Sequence, residues 1–588
     1  MNPSFFLISS YDPIPQHYLQ GLCLQGEDNI LGNEGYQKYV AARKRYVQPS
    51  LDGSYIIVRS SDEETIVGTD FSGYYKLFLY QCGERWALSN SLIELVRFAA
   101  SKRLPVTIDE SHLASFFIEG RFGDQLTSLR TSVKEIRLVS SSMEAVIAPT
   151  FFGTTVKLRP TAVLYEDPER LESYEEALRH YMKLWTGRMA TLLQSDLYIR
   201  SDLTGGRDSR AVLSLMLAAC RIIGEPFIRK VNITSDKDAT DDFSIAHQIA
   251  ERFHLRFMDK VDDPRRPVRL SVNGAYETWK SLCLGVYGPI YFPVTHPVPT
   301  AIAMGEAGGE GHRRFYPNVA PETFINAQRK FIPSSAHFKR LKRDILDDLA
   351  TLRRGPEASV DPMIVHYRHF RDRCHGGRAP QYGNLISPLS SKALRRASSL
   401  CAPTKIDRSQ VLADILGNAN RQLAAMAYDA PAKSFDARHI ADLVDAEDAI
   451  RSARKDGQVF ASEGASHELG GFTKKEAFRL LRDDFLDHYA QARGRLLSKA
   501  ISGKGKRSCR ECTSQRALPP YPKQLRNFSR DSRRRACTAV ALIVRHRDRS
   551  ALFRRKTEPS FSLIRTVASI RCAGRPIVRA QQNGAPHF

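Results

Sequence analysis

The 588-residue sequence has little cysteine and no long hydrophobic run. Its ten cysteines follow no disulfide framework, which predicts a protein of a reducing compartment, the cytoplasm. No apolar stretch approaches the ~20 residues that a membrane-spanning helix needs. The first residues also lack the basic start and the small-residue cleavage site of a signal peptide. These absences favour a cytoplasmic globular protein that makes no membrane contact.

Acidic residues are nearly absent from the last sixth of the chain. Residues 493–588 contain 24 Lys and Arg but only 4 Asp and Glu, whereas residues 1–492 contain 63 and 60. The net charge of +23 therefore belongs almost wholly to this tail, which disfavours a basic nucleic-acid-binding face on the main fold. Three interpretations of the tail compete: a disordered basic arm that contacts nucleic acid or another anionic surface, a small separate domain, or a segment translated out of frame. Its Cys509-Arg-Glu-Cys512 pair has no second pair at zinc-ribbon spacing, which disfavours a zinc site.

Residues 1–155 are predicted to form a layered, β-rich α+β domain. One helix is expected at about residues 91–100, where the apolar residues share one face. Runs of β-branched and aromatic residues between turn signals predict short strands at residues 54–58, 74–80, 85–89, 133–139 and 143–147.

Residues 156–492 follow a different pattern, which is typical of an α/β domain with a parallel sheet. The sequence Ser173-Tyr174-Glu175-Glu176 is a capping box and predicts the start of a long helix. Helices alternate with the predicted strands, and this spacing indicates parallel strands with helices on the faces of the sheet. Residues 340–490 are predicted to be rich in helix. The strands are expected at residues 197–203, at 227–233 and from 256, and the helix before the third strand at about 241–253.

The sharpest signal is a glycine-rich loop between the first of these strands and its helix, Thr204-Gly205-Gly206-Arg207-Asp208-Ser209. The two glycines let the backbone approach a ligand closely, and the amides at the start of a helix suit an anion such as pyrophosphate. Thr204 and Ser209 can donate hydroxyl hydrogen bonds, and Asp208 can bind a Mg2+ that bridges phosphates. The loop lacks the lysine of a Walker loop. The alternative is a Gly-Gly turn that serves only the geometry of the chain.

This loop resembles the SGGxDS pyrophosphatase loop of the asparagine synthetase family, with Thr204 in place of the first serine. The helix that carries Asp242 resembles the family's acidic residue followed by its A-x-x-[IV]-A helix. The resemblance covers roughly residues 50–430. Outside the loop it includes Asp70 through Tyr80, Leu88-Ser89-Asn90-Ser91 and Phe116 through Val139, which are similar to the family's amidotransferase domain, and Ile386-Ser387-Pro388-Leu389, which is similar to its PFLD segment.

The resemblance implies an Ntn-hydrolase-like α+β domain followed by an α/β synthetase domain of the adenine nucleotide alpha hydrolase-like type. It also implies that ATP activates a carboxylate as an acyl-adenylate with release of pyrophosphate, after which an amine displaces AMP. ATP and Mg2+ are the implied cofactors, and a small carboxylic acid and an amine are the implied substrates. The residues expected to bind the nucleotide are Leu203, Thr204, Gly205, Gly206, Asp208 and Ser209 in the loop, and Val231 and Ile233 in the next strand.

The first departure from the family lies at the start of the chain. Asn2 stands where the glutamine-dependent members have a cysteine, and Cys23 is internal. Because an N-terminal thiolate attacks glutamine in those members, we expect no glutaminase activity. The β-lactam synthetase-like relatives have lost this cysteine too, and in them the amine comes from the substrate itself.

A second departure concerns the metal. The family's later acidic segment resembles SGxGADE, and the candidate here is Met304–His312. Gly309 stands at the position of the family's Asp, so either Glu306 or Glu310 is expected to complete the Mg2+ site with Asp208. The alternative is a flexible glycine-rich loop with solvated acids.

Three further groups have weaker signals. Lys433 is a weak candidate for the family's C-terminal catalytic lysine, because a lysine there is more often a solvated surface charge. A metal site among the histidines of one arginine-rich stretch is disfavoured because the arginines would repel a cation. A set of aromatic residues lines the acceptor pocket or belongs to the core. The histidine stretch comprises His366, His369, Cys374 and His375, and the aromatic set comprises Trp279, Tyr287 and Tyr291.

Together these features predict an ATP-dependent, AMP-forming amide ligase without glutaminase activity. One alternative is a degenerate family member that binds a nucleotide without turnover. Another is a protein that binds nucleic acid through its tail. Nothing in the tail matches the family, which favours disorder or a frameshift there.

Overall fold

The computed structural model describes residues 5–484 except residues 152, 162–170, 237, 258–269, 296, 355–356, 382, 464–472 and 474. Asn2 and the basic tail with its Cys509-Arg-Glu-Cys512 pair therefore lie outside the described residues, and the predictions made for them stay predictions. Within the described part of the chain, none of the helices is long and apolar enough to cross a membrane.

The elements are numbered in chain order. The strands are β1 Leu7–Ser9, β2 His17–Gln25, β3 Asp28–Leu31, β4 Gly53–Ser60, β5 Thr65–Thr69, β6 Phe78–Cys82, β7 Arg85–Ser89, β8 Ile136–Leu138, β9 Met143–Thr150, β10 Gly153–Pro160, β11 Tyr198–Asp202, β12 Val231–Thr234, β13 Arg256–Phe257, β14 Ala301–Met304, β15 Leu385–Ile386 and β16 Val459–Phe460. The α-helices are α1 Gly32–Arg43, α2 Leu92–Ser101, α3 Glu110–Ala114, α4 Tyr174–Gln194, α5 Arg207–Ile223, α6 Thr240–Arg252, α7 Val272–Cys283, α8 Pro321–Ala327, α9 Ser335–Leu352, α10 Pro362–His366, α11 Arg373–His375, α12 Lys392–Leu400, α13 Pro403–Asp407, α14 Gln410–Ala419, α15 Arg421–Ala425, α16 Ala437–Ala441 and α17 Glu447–Arg451.

The first part of the chain forms two sheets that pack against each other. One has the order β1-β7-β6-β8 and the other the order β10-β9-β5-β4-β2-β3-β16. Strand β4 is apolar on both faces because both faces are covered. Ile56 and Val58 belong to the core between the sheets, and Tyr55 and Ile57 belong to a second core that includes residues of α1.

Two predictions for this part need correction. The strand expected at residues 74–80 begins only at Phe78, because the preceding residues turn around the buried carboxylate of Asp70. That carboxylate accepts hydrogen bonds from the amides of Tyr74 at 2.9 Å and Tyr75 at 3.0 Å. Strand β10 has no counterpart in the sequence predictions and pairs with β9 as far as Pro160. The seven-stranded sheet therefore continues past residue 155, the predicted domain boundary.

The second part of the chain contains a separate parallel sheet of five strands, in the order β13-β12-β11-β14-β15. Helix α4 begins at the predicted capping box, where the Ser173 hydroxyl accepts from the Glu176 amide at 3.2 Å. Helices α4 and α5 pack together in the main hydrophobic core with α12 and α14. The strand predicted at residues 227–233 is shorter, since Glu225–Lys230 form a 3-10 turn before β12. The predicted mixed fold, antiparallel layers followed by a parallel sheet, is confirmed at this level.

The last described strand, β16, belongs to the seven-stranded sheet of the first part of the chain. Strand β16 pairs in parallel with β3, with Val459 opposite Asn29 and Phe460 opposite Ile30. Helix α1 covers this junction closely, since a Cβ built on Gly35 would lie 2.3 Å from the carbonyl oxygen of Phe460. Residues from both predicted domains thus contribute strands to one sheet.

Candidate nucleotide-binding site

The glycine-rich loop lies at the carboxyl edge of the parallel sheet, where β11 ends and α5 begins. The segments that follow β12 and β14 leave the sheet at the same edge, because parallel strands direct their carboxyl ends to one side. Leu203 is buried and anchors the loop, since its amide donates to the carbonyl of Thr234 at 2.8 Å. Open α/β sheets bind their ligands at this edge.

The loop amides donate to side chains close to them. The Thr204 amide donates to the Ser209 hydroxyl at 3.1 Å, and the two hydroxyl oxygens lie 3.0 Å apart. The Gly206 amide donates to the Thr204 hydroxyl at 3.2 Å, and the Gly205 amide donates to Asp242 Oδ1 at 2.7 Å. The structure therefore brings together the loop and the acidic residue of α6, which the sequence places 37 positions apart.

Residues 426–435 cover one side of the loop. Arg210 donates to the carbonyl of Met426 at 2.8 Å and lies 3.8 Å above the ring of Tyr428. Arg207 fixes the end of the same segment through hydrogen bonds to the carbonyls of Ala432, Lys433 and Ser434. Both arginines belong to the first turn of α5, so the start of this helix is tied to the covering segment.

Gly205 is required at its position because the covering segment approaches it closely. A Cβ there would lie 2.6 Å from the Cβ of Asp429 and 3.0 Å from Asp242 Oδ1. Asp429 also forms an ion pair with Lys433 at 2.5 Å. The candidate catalytic lysine therefore lies near the loop, and its charge favours the ionised form of Asp208.

Two of the predicted metal ligands share an arginine. Asp208, in the first turn of α5, has Oδ2 3.2 Å from Arg313 Nη2. The same guanidinium contacts both oxygens of Glu310, with 2.8 Å between Nε and Oε2. Burial raises the pKa of Asp208 to about 6, although the charge of Arg313 acts in the opposite direction. The guanidinium of Arg313 therefore lies between the two carboxylates.

Gly309 lies on the other side of Asp208. A Cβ built on Gly309 would be 2.3 Å from Asp208 Oδ1, and that oxygen is buried without a hydrogen-bond partner among the described residues. The residue that replaces the family's Asp is therefore in direct contact with the loop aspartate. A side chain at position 309 is incompatible with this orientation of Asp208.

Glu306 follows β14 at the same edge of the sheet. Glu306 is solvent-exposed at this edge. Partial desolvation by the neighbouring protein, together with the charges of Asp208, Asp202 and Asp242, raises the pKa of Glu306 above its usual range. The carboxylates of Asp208, Asp202 and Asp242 thus lie close enough to Glu306 to disfavour its ionised form.

The carboxylates at the loop fit a Mg2+ ion that arrives with a nucleotide. Among the described residues, no group of three or more His, Cys, Asp or Glu has the arrangement of a metal site by itself. Mg2+ at nucleotide sites needs only one or two carboxylates, because water and phosphate oxygens complete its shell. Asp208 with Glu306 or Glu310 can supply that number. A metal held without nucleotide would require Arg313 to release Asp208.

Most of the remaining predicted residues are buried. Val231 and Ile233 are completely buried in β12, so their side chains belong to the main core. Trp279 and Tyr287 are buried in a second core, whereas Tyr291 is half exposed. In the arginine-rich stretch His366, His369 and Cys374 are buried and His375 is exposed.

Arg313 and Asp429 are site residues that were not predicted from the sequence. The only signal for Arg313 is its spacing of three residues after Glu310, which places the two side chains on one side of a helical turn. A comparison of the chain with models of known protein families found no match, and a comparison with curated protein sequences found none either.

Proposed function

We propose that this chain is a cytoplasmic, ATP-dependent, AMP-forming amide ligase of the asparagine synthetase type that lacks glutaminase activity. The observation that carries the proposal is the glycine-rich loop at the carboxyl edge of the parallel sheet, with Asp208 in the first turn of the following helix and Glu306 near it. On this proposal the first part of the chain is Ntn-hydrolase-like and the second is adenine nucleotide alpha hydrolase-like.

The proposed reaction has two steps. An oxygen of the substrate carboxylate attacks the α-phosphorus of ATP, the bond to the bridging oxygen breaks, and pyrophosphate leaves. The amine nitrogen then attacks the acyl carbon, the bond to AMP breaks, and the nitrogen loses a proton. Catalysis of such transfers depends mainly on positioning and on charge stabilisation.

Each residue of the site has a role in this scheme. The hydroxyls of Thr204 and Ser209 and the amides at the start of α5 would bind the leaving pyrophosphate. Mg2+, when bound, would neutralise phosphate charge, and Asp208 would orient it. Lys433 would place a positive charge beside the reacting phosphate, with Asp429 fixing its ammonium group. The adenine would lie at the carboxyl end of β12, where Thr234 is partly exposed.

The described part of the chain also agrees with the proposed loss of glutaminase activity. Cys23 is completely buried in β2. Burial raises the pKa of its thiol, so the nucleophilic thiolate is disfavoured. Cys23 therefore cannot replace the N-terminal cysteine of the glutamine-dependent members, whose position Asn2 occupies.

The test is pyrophosphate release from ATP with a panel of carboxylic acids and amines. We expect release to depend on a particular acid and to be lost in Asp208→Ala. Asp241→Ala is the matched control, because this exposed acid lies beside Asp242 at the start of α6. The proposal would be wrong if the wild type released no pyrophosphate with any acid. It would also be wrong if Asp208→Ala and Asp241→Ala released pyrophosphate equally.

A second candidate function is nucleotide binding without turnover. The observation that favours it is the ion pair between Arg313 and Asp208, which occupies a carboxylate that a metal needs. A nucleotide-dependent rise in the unfolding temperature without formation of AMP or pyrophosphate would support this function.

A further inference from the structure

We propose that Arg313 and a divalent cation exchange at Asp208. Arg313 neutralises this carboxylate while the nucleotide is absent, and it binds the phosphates once the metal has taken its place. The inference rests on the proposed function, since it assigns a phosphate-binding residue to the same site. It also assigns Arg313 a role that the sequence motif does not contain.

The contacts of Asp208 show why the two cations compete. Its Oδ2 faces Arg313 Nη2 at 3.2 Å, and its Oδ1 is turned against the backbone of Gly309. Neither oxygen is therefore directed to open space in this arrangement. A metal can reach Asp208 only if the guanidinium leaves and the carboxylate turns away from Gly309, whose missing Cβ leaves the place that Oδ1 occupies here.

The contacts of Arg313 show that it can leave. All its hydrogen bonds in the described structure go to the side chains of Asp208 and Glu310, and none goes to a backbone carbonyl. Arg207 differs, because three carbonyls fix its guanidinium to the covering segment. Arg313 thus moves when its carboxylates are neutralised, whereas Arg207 stays in place.

The phosphates of a bound nucleotide are the expected destination. Arg313 lies beside the first turn of α5, where the helix amides favour an anion. A guanidinium matches phosphate oxygens in a two-pronged contact and keeps its charge at all physiological pH values. When Mg2+ neutralises Asp208, Glu310 still pairs with Arg313, and the polyphosphate supplies the second negative charge that replaces Asp208.

The experiment measures binding of Mn2+ alone to the full chain by electron paramagnetic resonance, in the absence of nucleotide. In Arg313→Gln we expect the Mn2+ affinity to rise about tenfold, as loss of a competing charged contact implies. Arg314→Gln is the matched control, because this neighbouring arginine pairs with Asp361 and Asp407 away from the loop. Asp208→Asn should abolish this Mn2+ binding, weak in the wild type and stronger in Arg313→Gln, in both proteins.

A second measurement follows the nucleotide. With saturating Mn2+, Arg313→Gln should bind ATP about tenfold more weakly than Arg314→Gln, while Arg313→Lys should retain part of the affinity. Equal Mn2+ affinity in the wild type and Arg313→Gln would overturn the exchange. Unchanged ATP affinity would overturn the contact with phosphate, and Mn2+ binding that survives Asp208→Asn would overturn both. None of these results depends on turnover, so a failure of the ligase proposal is seen separately in the pyrophosphate assay.

Discussion

The backbone of Gly309 lies directly against the carboxylate of Asp208. A Cβ at position 309 would be 2.3 Å from Oδ1 and 2.6 Å from Cγ of that residue. We expect Gly309→Ala to displace Asp208, to destabilise the fold by about 1–3 kcal/mol through overpacking, and to weaken nucleotide binding. Thermal unfolding with and without Mg-ATP measures both effects.

Gly311→Ala is the control for this substitution. The nearest atom to its Cβ would be Arg368 Cγ at 3.5 Å, which is ordinary contact. We expect this variant to keep the nucleotide-dependent shift of the wild type. If Gly309→Ala kept it too, the contact with Asp208 would have no part in binding.

Lys433 is expected to contribute to the rate of the proposed reaction more than to the affinity for the nucleotide. Its ammonium group pairs with Asp429 at 2.5 Å beside the loop. Lys433→Met should lower product formation by about 100-fold, since a charge that stabilises the reacting phosphate is lost. The thermal shift with Mg-ATP should remain.

Lys405→Met is the comparison, because this lysine pairs with Asp442 at 3.9 Å and does not contact the loop. Steady-state rates of pyrophosphate release distinguish the two variants. Equal rates in Lys433→Met and Lys405→Met would show that Lys433 has no role in the proposed mechanism.

Tyr74 connects the first part of the chain to the acidic loop. Its hydroxyl donates to Asp372 Oδ2 at 3.0 Å, and Asp372 Oδ1 accepts from the amide of Gly308 at 3.1 Å. Because all these groups are buried, Tyr74→Phe should lower the free energy of unfolding by about 1–3 kcal/mol.

Tyr75→Phe is the matched control, because its buried hydroxyl makes a 3.5 Å contact with the carbonyl of Pro380 and a hydrogen bond with Gln20, and neither partner belongs to the acidic loop. Urea unfolding of both variants gives the comparison. A smaller loss for Tyr74→Phe than for Tyr75→Phe would contradict the structural role of Asp372.

His366 is expected to make stability depend on pH. It is completely buried, stacks on Phe122 with 4.8 Å between ring centroids, and has Nε2 3.1 Å from the carbonyl of Thr127. Burial lowers its pKa to about 4, below the usual value near 6.5. Between these values the unfolded chain binds one more proton at this residue than the folded chain. The contribution of His366 to the free energy of unfolding should therefore be fully present above pH 6.5. It should fall by about 1.4 kcal/mol per pH unit as the pH approaches 4.

The measurement is urea unfolding at several values between pH 4.5 and 6.5 for the wild type and His366→Gln. The slope of the free energy of unfolding against pH should be smaller in the variant by about one proton. Identical slopes in the two proteins would show that His366 does not titrate as its burial implies.

Much of the second part of the chain could be predicted from sequence because its signals are local. The capping box at Ser173 and the alternation of strands and helices depend on residues close together in the chain. The glycine-rich loop is another local signal, and it lies where the sequence placed it. Helix starts and strand-to-helix turns are fixed mainly by such short-range patterns.

The other features depend on contacts between distant residues. The late start of β6 follows from the buried carboxylate of Asp70, and no residue of the strand itself signals it. The site residue Arg313 is 105 positions from Asp208, so only the folded chain brings them together. The contact between Gly309 and Asp208 could not be predicted from the sequence either, because it depends on the missing Cβ of Gly309, whose place Asp208 Oδ1 occupies.

Strand β16 has a consequence for the order of folding. The amide of Gln458 donates to Asp28 Oδ1 across 430 positions of sequence, beside the pairing of β16 with β3. A fragment that ends at residue 155 or 160 would leave β3 as an open edge with unpaired backbone groups, which invites aggregation. Chain closure over so long a loop is slow. The seven-stranded sheet is therefore completed only after the second part of the chain has been synthesised. The two parts should unfold together in one cooperative transition.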